Sequence, residues 1–506
     1  MVIRLIGRNS RLSLLQIERV KKKIEESFPE AIVQIIARSS RGDALQDIPL
    51  QTVEGSDFFT QDIFEALNKG EADIAVHSLK DMSSKHFFGN NQFAVVERDD
   101  VRDVAIFNNR VQQKIKNGQT VIIGTCSPRR EQMAIGFLQK ALPQLGTFTI
   151  ETRSIRGNID TRLKKLDSGE FDGIILATAG LNRLLKSDSD ALNIQTLLKD
   201  KKLMILPLIE CVPAPCQGAI VAEAHRSNQK ALNVLKQINE RQLMEACVQE
   251  KRRAMQYGAG CLQKFGVTTI NSGEKSCLYA AGENSNGEAF NDWWGLPRLV
   301  IENKRIFNSA DYMGNFFDYS FRNAVEPIRE PVVYIANHKG INNESLTRSL
   351  QSKRIWAAGS RTWLELAKQG VWVEGCADAF GLESLEPVWS MPLLNIQKND
   401  VRILTHEQAS TNWEKKGWKT RVSYALQEKA KASLSILVQQ ADLVFWTSYQ
   451  QYEQYKTILK KDVVQLCSSG ETAELLRKDG VEPVVFPNIQ AFQQWRKISI
   501  LSRDVA

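Results

Sequence analysis

Short apolar runs alternating with amphipathic stretches constrain this chain more than any other feature. Ile3–Ile6 reads as a strand, followed by a helix over Leu12–Phe28 with Leu14, Leu15, Ile17, Val20 and Ile24 on one face. Ala31–Ala37 predicts a strand, Asp57–Leu67 a helix and Asp73–Val76 a strand. The rhythm resumes with a strand at Val121–Gly124 and a helix at Pro128–Leu142, then a strand at Thr147–Thr152, a helix at Ile159–Leu166 and a strand at Gly173–Ala179. Strand–helix–strand succession is the signature of a mostly parallel sheet. Its double occurrence predicts two α/β domains facing a cleft. Leu232–Ala254 then reads as a long amphipathic helix opening a third, smaller domain.

The 506 residues suggest three or four domains at about 150 residues each. All ten tryptophans lie at or after Trp293, so a different module is expected downstream. Glu326-Pro327-Ile328-Arg329-Glu330-Pro331 reads as the linker, which places the boundary between Asn323 and Pro331. Beyond it, Ile355–Thr362 and Leu466–Thr472 each lead into a short helix ending in glycine, and each follows an apolar strand, Val332–Ile335 or Leu443–Trp446. This weak repeat predicts two similar α/β lobes.

The net charge of +8 favours anionic ligands but is mild for this length. The basic groups lack interleaved aromatics and no nucleic-acid motif is found, so no nucleic-acid partner is expected. No apolar run approaches the ~18 residues of a membrane helix, and the start of the chain lacks signal-peptide character, so no membrane partner and a cytoplasmic location are expected. The eight cysteines are scattered without a CxxC pair, which argues against a metal site or a disulfide framework. Cys261 is the one to weigh. It follows Tyr257-Gly258-Ala259-Gly260, small residues that would leave a thiol accessible on a loop, and a buried cysteine beside a turn is the competing reading.

Several basic groups fall at strand ends or helix starts, where open α/β sheets bind ligands. His77-Ser78-Leu79-Lys80-Asp81 closes the apolar run 72–76. Neighbours on an extended segment point to opposite sides, so Lys80 can hold an anion while Asp81 stabilises a cation. Gly124-Thr125-Cys126-Ser127-Pro128-Arg129-Arg130 joins a strand to a helix, offering free amides, hydroxyls and forked guanidiniums. Arg153, Arg156 and Arg162 flank Gly157-Asn158, Arg183 follows Ala179-Gly180-Leu181, and Arg8 and Ser10 end the first strand. Each segment alone reads equally as a cap with solvated charges. Together they describe a cleft for a ligand with many carboxylates.

As an ordered set over about residues 1–320, these strings resemble the porphobilinogen deaminase (hydroxymethylbilane synthase) family: Arg8-Asn9-Ser10, Arg41-Gly42-Asp43, His77–Asp81, Gly124–Arg130, Arg156-Gly157-Asn158 to Arg162, Asp172–Leu184, Pro213-Ala214 with Gln217-Gly218-Ala219, and Gly260-Cys261. The resemblance implies two periplasmic-binding-protein-like domains around a cleft (1–98 with 203–222, and 99–202), a small α+β third domain (223–325) and a C-terminal two-lobed α/β module (326–506). It implies a monomer that condenses four porphobilinogen units into hydroxymethylbilane, releasing ammonia, in tetrapyrrole biosynthesis. The implied cofactor is a dipyrromethane held by a cysteine thioether, for which Cys261 matches. Asp81 matches the catalytic carboxylate, with Lys80 beside it. Ser10, Thr125, Ser127, Arg129, Arg130, Arg156 and Gly157 match groups around the cofactor, and Arg8, Arg156, Arg162 and Arg183 match groups holding substrate carboxylates. The chain departs from the family at 54–61, where two lysines of a glycine-rich loop are absent, and at Ser83, where a proline is usual.

The C-terminal module is similar to uroporphyrinogen-III synthase in its doubled Gly-x-x-Thr pattern, in Trp446-Thr447-Ser448 and in Tyr424, which matches a tyrosine assisting loss of water. Its first lobe reads as truncated, since no starting strand precedes Val332. Three readings stay open: a deaminase–synthase fusion, a deaminase with a non-catalytic lobe, and a non-enzymatic anion binder.

Overall fold

The computed structural model describes residues 1–39, 61–258, 263–272, 275–299, 301–322, 327–341, 344–429 and 431–501. They form two compact units. The first comprises Met1–Gln139, Gly146–Thr269 and Tyr279–Asn291, and the second Lys140–Leu145, Ile270–Leu278 and Asp292–Ala506.

Two five-stranded sheets build the first unit. In chain order their strands are β1 (Val2–Arg8), β2 (Ile32–Arg38), β3 (Ile74–Ser78), β4 (Gln92–Arg98), β5 (Asp103–Phe107), β6 (Val121–Gly124), β7 (Ile150–Arg153), β8 (Gly173–Ala177), β9 (Lys202–Ile205) and β10 (Ala219–Ala224). The sheet orders are β2-β1-β3-β10-β4 and β7-β6-β8-β5-β9. β1 pairs in parallel with β2 and β3, and β6 with β7 and β8. β10 runs antiparallel to β3 and β4, and β5 antiparallel to β8 and β9. Each sheet is therefore mixed rather than nearly all parallel. The central strands β3 and β8 are buried almost throughout, as strands covered on both faces require. Helix Arg11–Ser27 packs Ile17, Val20 and Ile24 into the core of the first sheet, at helical spacing.

The expected domain limits shift in three places. β9 belongs to the second sheet, so the return to the first sheet comes after Ile205 rather than at 203. The amphipathic stretch 232–254 is two helices, Gln229–Ile238 and Arg241–Tyr257. The chain breaks between them because Asn239 Oδ1 accepts the Val95 amide at 3.0 Å while the Glu240 amide donates to the Val95 carbonyl at 2.9 Å. The first of these helices buries Ala231, Val234, Leu235 and Ile238 in the first sheet's core. Helix Arg241–Tyr257 precedes a separate three-stranded sheet, β11 (Lys264–Ser272), β12 (Lys275–Glu283) and β13 (Ala289–Trp294).

The third shift concerns the second unit. Its remaining strands are β14 (Ile306–Asn308), β15 (Phe317–Phe321), β16 (Val332–Ile335), β17 (Arg354–Ala357), β18 (Val373–Cys376), β19 (Val401–His406), β20 (Lys419–Glu428), β21 (Leu443–Trp446), β22 (Val464–Ser468) and β23 (Val484–Phe486). They form two lobes, a six-stranded sheet β15-β20-β19-β16-β17-β18 and a four-stranded sheet β14-β21-β22-β23. β14 lies parallel to β21, and β15 antiparallel to β20. Two strands thus do precede Val332, β15 in the same sheet as Val332 and β14 in the other lobe. The proline-bearing stretch 326–331 lies inside this unit, downstream of two of its strands.

At the seam of the two lobes, Lys416 Nζ pairs with Glu383 at 2.8 Å and with Glu474 of the opposite lobe at 2.7 Å. Glu471 opens helix Glu471–Lys478 beside them, and its Oε1 has no hydrogen-bond partner among the described residues. Burial pushes its carboxyl pKa up to about 7, against the pull of Lys416 and a hydrogen bond with Asn412. The folded protein therefore keeps a proton there that the unfolded chain releases near pH 4.5. Its stability falls as pH rises from about 4.5 to about 7, by about 3 kcal/mol if the group titrates alone. Glu471→Gln removes this penalty. Its thermal midpoint is expected to exceed that of the parent at pH 8 and to match it near pH 4.5.

Candidate active site

A cavity of about 670 Å³ lies at the carboxyl ends of β1, β3, β6, β7 and β8, wholly within the first unit. Three helices begin on its wall, Arg11–Ser27, Ile159–Asp167 and Thr178–Leu185, and each directs its positive end there. Asn158 caps the second by accepting the Thr161 amide at 2.9 Å. The 3₁₀ turn Leu79–Asp81 follows β3 directly. Leu79 is buried, which anchors the turn, while Lys80 and Asp81 both line the cavity.

The charge of the wall is unbalanced. Among the described residues, the lining holds Arg8, Arg11, Lys80, Arg130, Arg156, Arg162 and Arg183 beside the carboxylates of Asp81 and Asp160. Burial lowers the pKa of Lys80, and Arg130 and Arg129 lower it further against the opposing pull of Asp81. Burial and then the neighbouring Arg130 and Arg156 lower that of Arg162. Arg183 is 5 % exposed and likewise lowered by burial. It donates one Nη2 bond to the Gly218 carbonyl, and its Nε has no partner among the described residues. The Nε of Arg130 is in the same state. Buried donors left open beside like charges are arranged for an anion.

Most of the expected site residues meet here: Arg8, Ser10, Lys80, Asp81, Arg130, Arg156, Gly157, Arg162 and Arg183 all line the cavity. Three do not. Arg129 turns inward, donating to Asp103 Oδ2 at 2.6 Å and to the Val212 carbonyl at 2.6 Å. Successive helical residues diverge by about 100°, and here Arg130 lines the cavity while Arg129 does not. Thr125 Oγ1 accepts the Ser127 amide at 3.2 Å, and Ser127 Oγ accepts the Arg130 amide at 3.4 Å. Both hydroxyls cap the turn, and it is Cys126 that reaches the cavity. Arg153 is exposed and paired with Glu151 at 2.8 Å. Cys261, Arg41-Gly42-Asp43 and the stretch 54–60 lie outside the described residues. Tyr424 belongs to the second unit, on β20 opposite His406 and Phe321. It is 2 % exposed, its ring lies 5.5 Å from Tyr319, and burial raises the pKa of its hydroxyl.

Comparison with known proteins bears on this geometry. Residues 3–233 match the family model described as porphobilinogen deaminase, dipyromethane cofactor binding domain. The porphobilinogen deaminase of Streptococcus sanguinis (strain SK36) is 32 % identical over 287 residues, covering 57 % of this chain and 88 % of that protein. The chain belongs to the porphobilinogen deaminase family. The porphobilinogen deaminase of Chromobacterium violaceum is 34 % identical over 261 residues, covering 52 % of this chain and 77 % of the relative. Among solved structures, the effector-binding domain of BenM with benzoate aligns at a TM-score of 0.27 and 13 % identity, covering 48 % of this chain and 92 % of that one.

A porphobilinogen deaminase carries a dipyrromethane, and the cavity fits one. The surplus of guanidiniums, the open Nε donors of Arg130 and Arg183 and the three helix N-termini all suit a ligand with several carboxylates. Sequence reasoning missed Arg11, Cys126 and Gln16 as lining residues. Gln16 shares the inward edge of the helix after β1 with Leu12 and Ser13, which its helical spacing could have revealed, while Arg11 stands in the first turn.

Arg129 and Arg130 share one carboxylate, that of Asp103, which is fully buried and held well below the usual carboxylate range by the two guanidiniums despite its burial. Arg129→Ala leaves this carboxylate short of a partner. Equilibrium unfolding should register a loss of about 3–5 kcal/mol.

Proposed function

We infer that the protein is a hydroxymethylbilane synthase, condensing four porphobilinogen units with release of ammonia. The observation that carries this reading is the placement of Lys80 and Asp81 on one turn facing the arginine-lined cavity. Each porphobilinogen brings two carboxylates, for which Arg8, Arg130, Arg156, Arg162 and Arg183 offer charge-assisted, fork-shaped donors. Expulsion of ammonia breaks the C–N bond of the substrate's aminomethyl group and leaves a cationic azafulvene. The Asp81 carboxylate stabilises that charge and can relay the proton given up at bond formation. Lys80 holds a substrate carboxylate beside it. The dipyrromethane, when bound, supplies the pyrrole to which the first substrate unit is joined, and Cys261 is the residue proposed to hold it. A cytoplasmic location is part of this reading, and cysteines scattered through the sequence without a CxxC pair support it.

For the second unit, the two-lobed α/β architecture supports a uroporphyrinogen-III synthase role, with Tyr424 as the group assisting loss of water. The burial of Tyr424 favours the other reading, a lobe that does not turn over. Supplying hydroxymethylbilane to the full chain separates them. Enzymatic formation of the type III isomer, lost in Tyr424→Phe, supports the synthase, and spontaneous type I product alone supports the silent lobe.

The deaminase reading is tested by intact mass. The purified chain should carry a covalent excess of two linked pyrrole units, absent in Cys261→Ser. A chain that stays unmodified after incubation with porphobilinogen overturns the reading. Asp81→Ala should retain the covalent excess and lose at least about a hundredfold in kcat.

A further inference from the structure

Glu223 of β10 is fully buried, with no solvent contact, yet it takes no part in the chemistry above. Its Oε2 accepts from His77 Nε2 at 3.0 Å. Its Oε1 accepts from His86 Nε2 at 2.8 Å and from Asn91 Nδ2 at 2.7 Å. These hydrogen bonds hold its carboxyl down to about 2, although burial works the other way. All three donors come from one stretch of chain. His77 lies on β3 just before the turn that presents Lys80 and Asp81, and His86 and Asn91 lie just after it.

The segment after the turn is pinned at Met82 and Phe87, which pack with Leu79 and Val95 in one apolar cluster. Helix Ser84–Phe87 is a single turn, too short to be stable alone. Ser83 caps it by accepting the His86 amide at 3.0 Å. The His86 ring is fixed edge-on against Phe64, with centroids 4.5 Å apart, and against Phe93 at 6.0 Å. From the other side, the buried Lys251 donates to the Met82 carbonyl, next to Asp81. Glu223 thus grips both ends of a short loop whose middle carries the reacting carboxylate. A buried anion with three donors does not change partners cheaply, so the spacing of the two ends is set.

We propose that His86 is a positioning residue for the deaminase reaction: through Glu223 it fixes the far end of the segment that presents Lys80 and Asp81 to the substrate. The proposal rests on the role assigned to Asp81. Displacing a reacting group by about 1 Å through a change away from the chemistry can cost about a hundredfold in rate. The loss should fall mainly on kcat, because the guanidiniums that bind substrate sit on other elements and Lys80 is the one proposed binding group that shares the turn with Asp81.

The test uses the full chain and steady-state consumption of porphobilinogen, with thermal midpoints measured alongside. His86→Leu keeps the packing against Phe64 and Phe93 and removes the N–H donor. His86→Gln keeps a donor. The expected result is a kcat about tenfold or more lower in His86→Leu, a KM within about twofold of the parent, and recovery in His86→Gln to within about threefold. Unchanged kcat in His86→Leu overturns the proposal, as does a loss in both variants that follows their thermal midpoints. If His86→Leu fails to fold, Glu223→Gln decides: a fall in kcat at constant KM supports the clamp, and an unchanged kcat overturns it. An active Asp81→Ala would overturn the role of Asp81 and the clamp with it, whereas an inactive Asp81→Ala beside a fully active His86→Leu overturns the clamp alone.

Discussion

The buried carboxylate of Asp103 is the constraint around which the first unit is organised. It opens β5, takes Arg129 on one oxygen and Arg130 on the other, and receives Gln217 Nε2 at 3.0 Å from the segment that leads back into the first sheet. One charge thereby joins the second sheet, the helix that follows β6 and the returning chain. The balance is uneven, two guanidiniums against one carboxylate. Arg129 is consumed in this structural role, whereas Arg130 also lines the cavity. The positive character of the site begins in this excess. Lys80, Arg162 and Arg183 add to it, and the lowered pKa values of these groups record first the cost of burying them, with like charges adding to it at Lys80 and Arg162. A polycarboxylate ligand offsets that cost, so the empty cleft is less stable than the filled one.

A similar economy governs the third domain. Glu250 on helix Arg241–Tyr257 accepts both Nη groups of Arg98, at 2.9 and 2.8 Å, together with the amides of Cys216 and Thr269. The helix that runs toward residue 261 is thus fastened to β4, to the returning chain and to β11. With Lys251 on Met82, the same helix holds both the frame and the catalytic turn. Two neighbouring residues on one helix thus tie β4, the returning chain and β11 to the residue that follows Asp81.

Much of this was legible in the sequence because it depends on local periodicity. β1, β3, β6 and β8 and the helices after β1 and β6 follow from apolar runs and amphipathic spacing, and Arg8, Lys80, Asp81, Arg156, Arg162 and Arg183, read at strand ends or helix starts, stand on the cavity wall. β10 was not legible: Ala219–Ala224 is rich in alanine and carries a glutamate, a pattern that suits neither an amphipathic strand nor a core one until its histidine partners are known. Those partners lie more than a hundred residues away, beyond the reach of any local pattern. Arg129 misled because residue type announces a charge and not its direction. The border of the second unit misled because prolines at 327 and 331 resemble a linker, while the strands that decide membership are three to five residues long and pair with partners far downstream.

The placement of β14 and β15 bears on how this chain can be divided. Both are edge strands, β14 beside β21 and β15 beside β20. A cut at the proline-bearing stretch would strip one strand from each lobe at once, leaving the backbone groups of β21 and β20 unpaired along freshly bared sheet margins. Bare margins of this kind recruit other chains and aggregate. The two sheets of the second unit are closed by residues that precede its apparent beginning, so a fragment starting there would inherit the lobes without their borders.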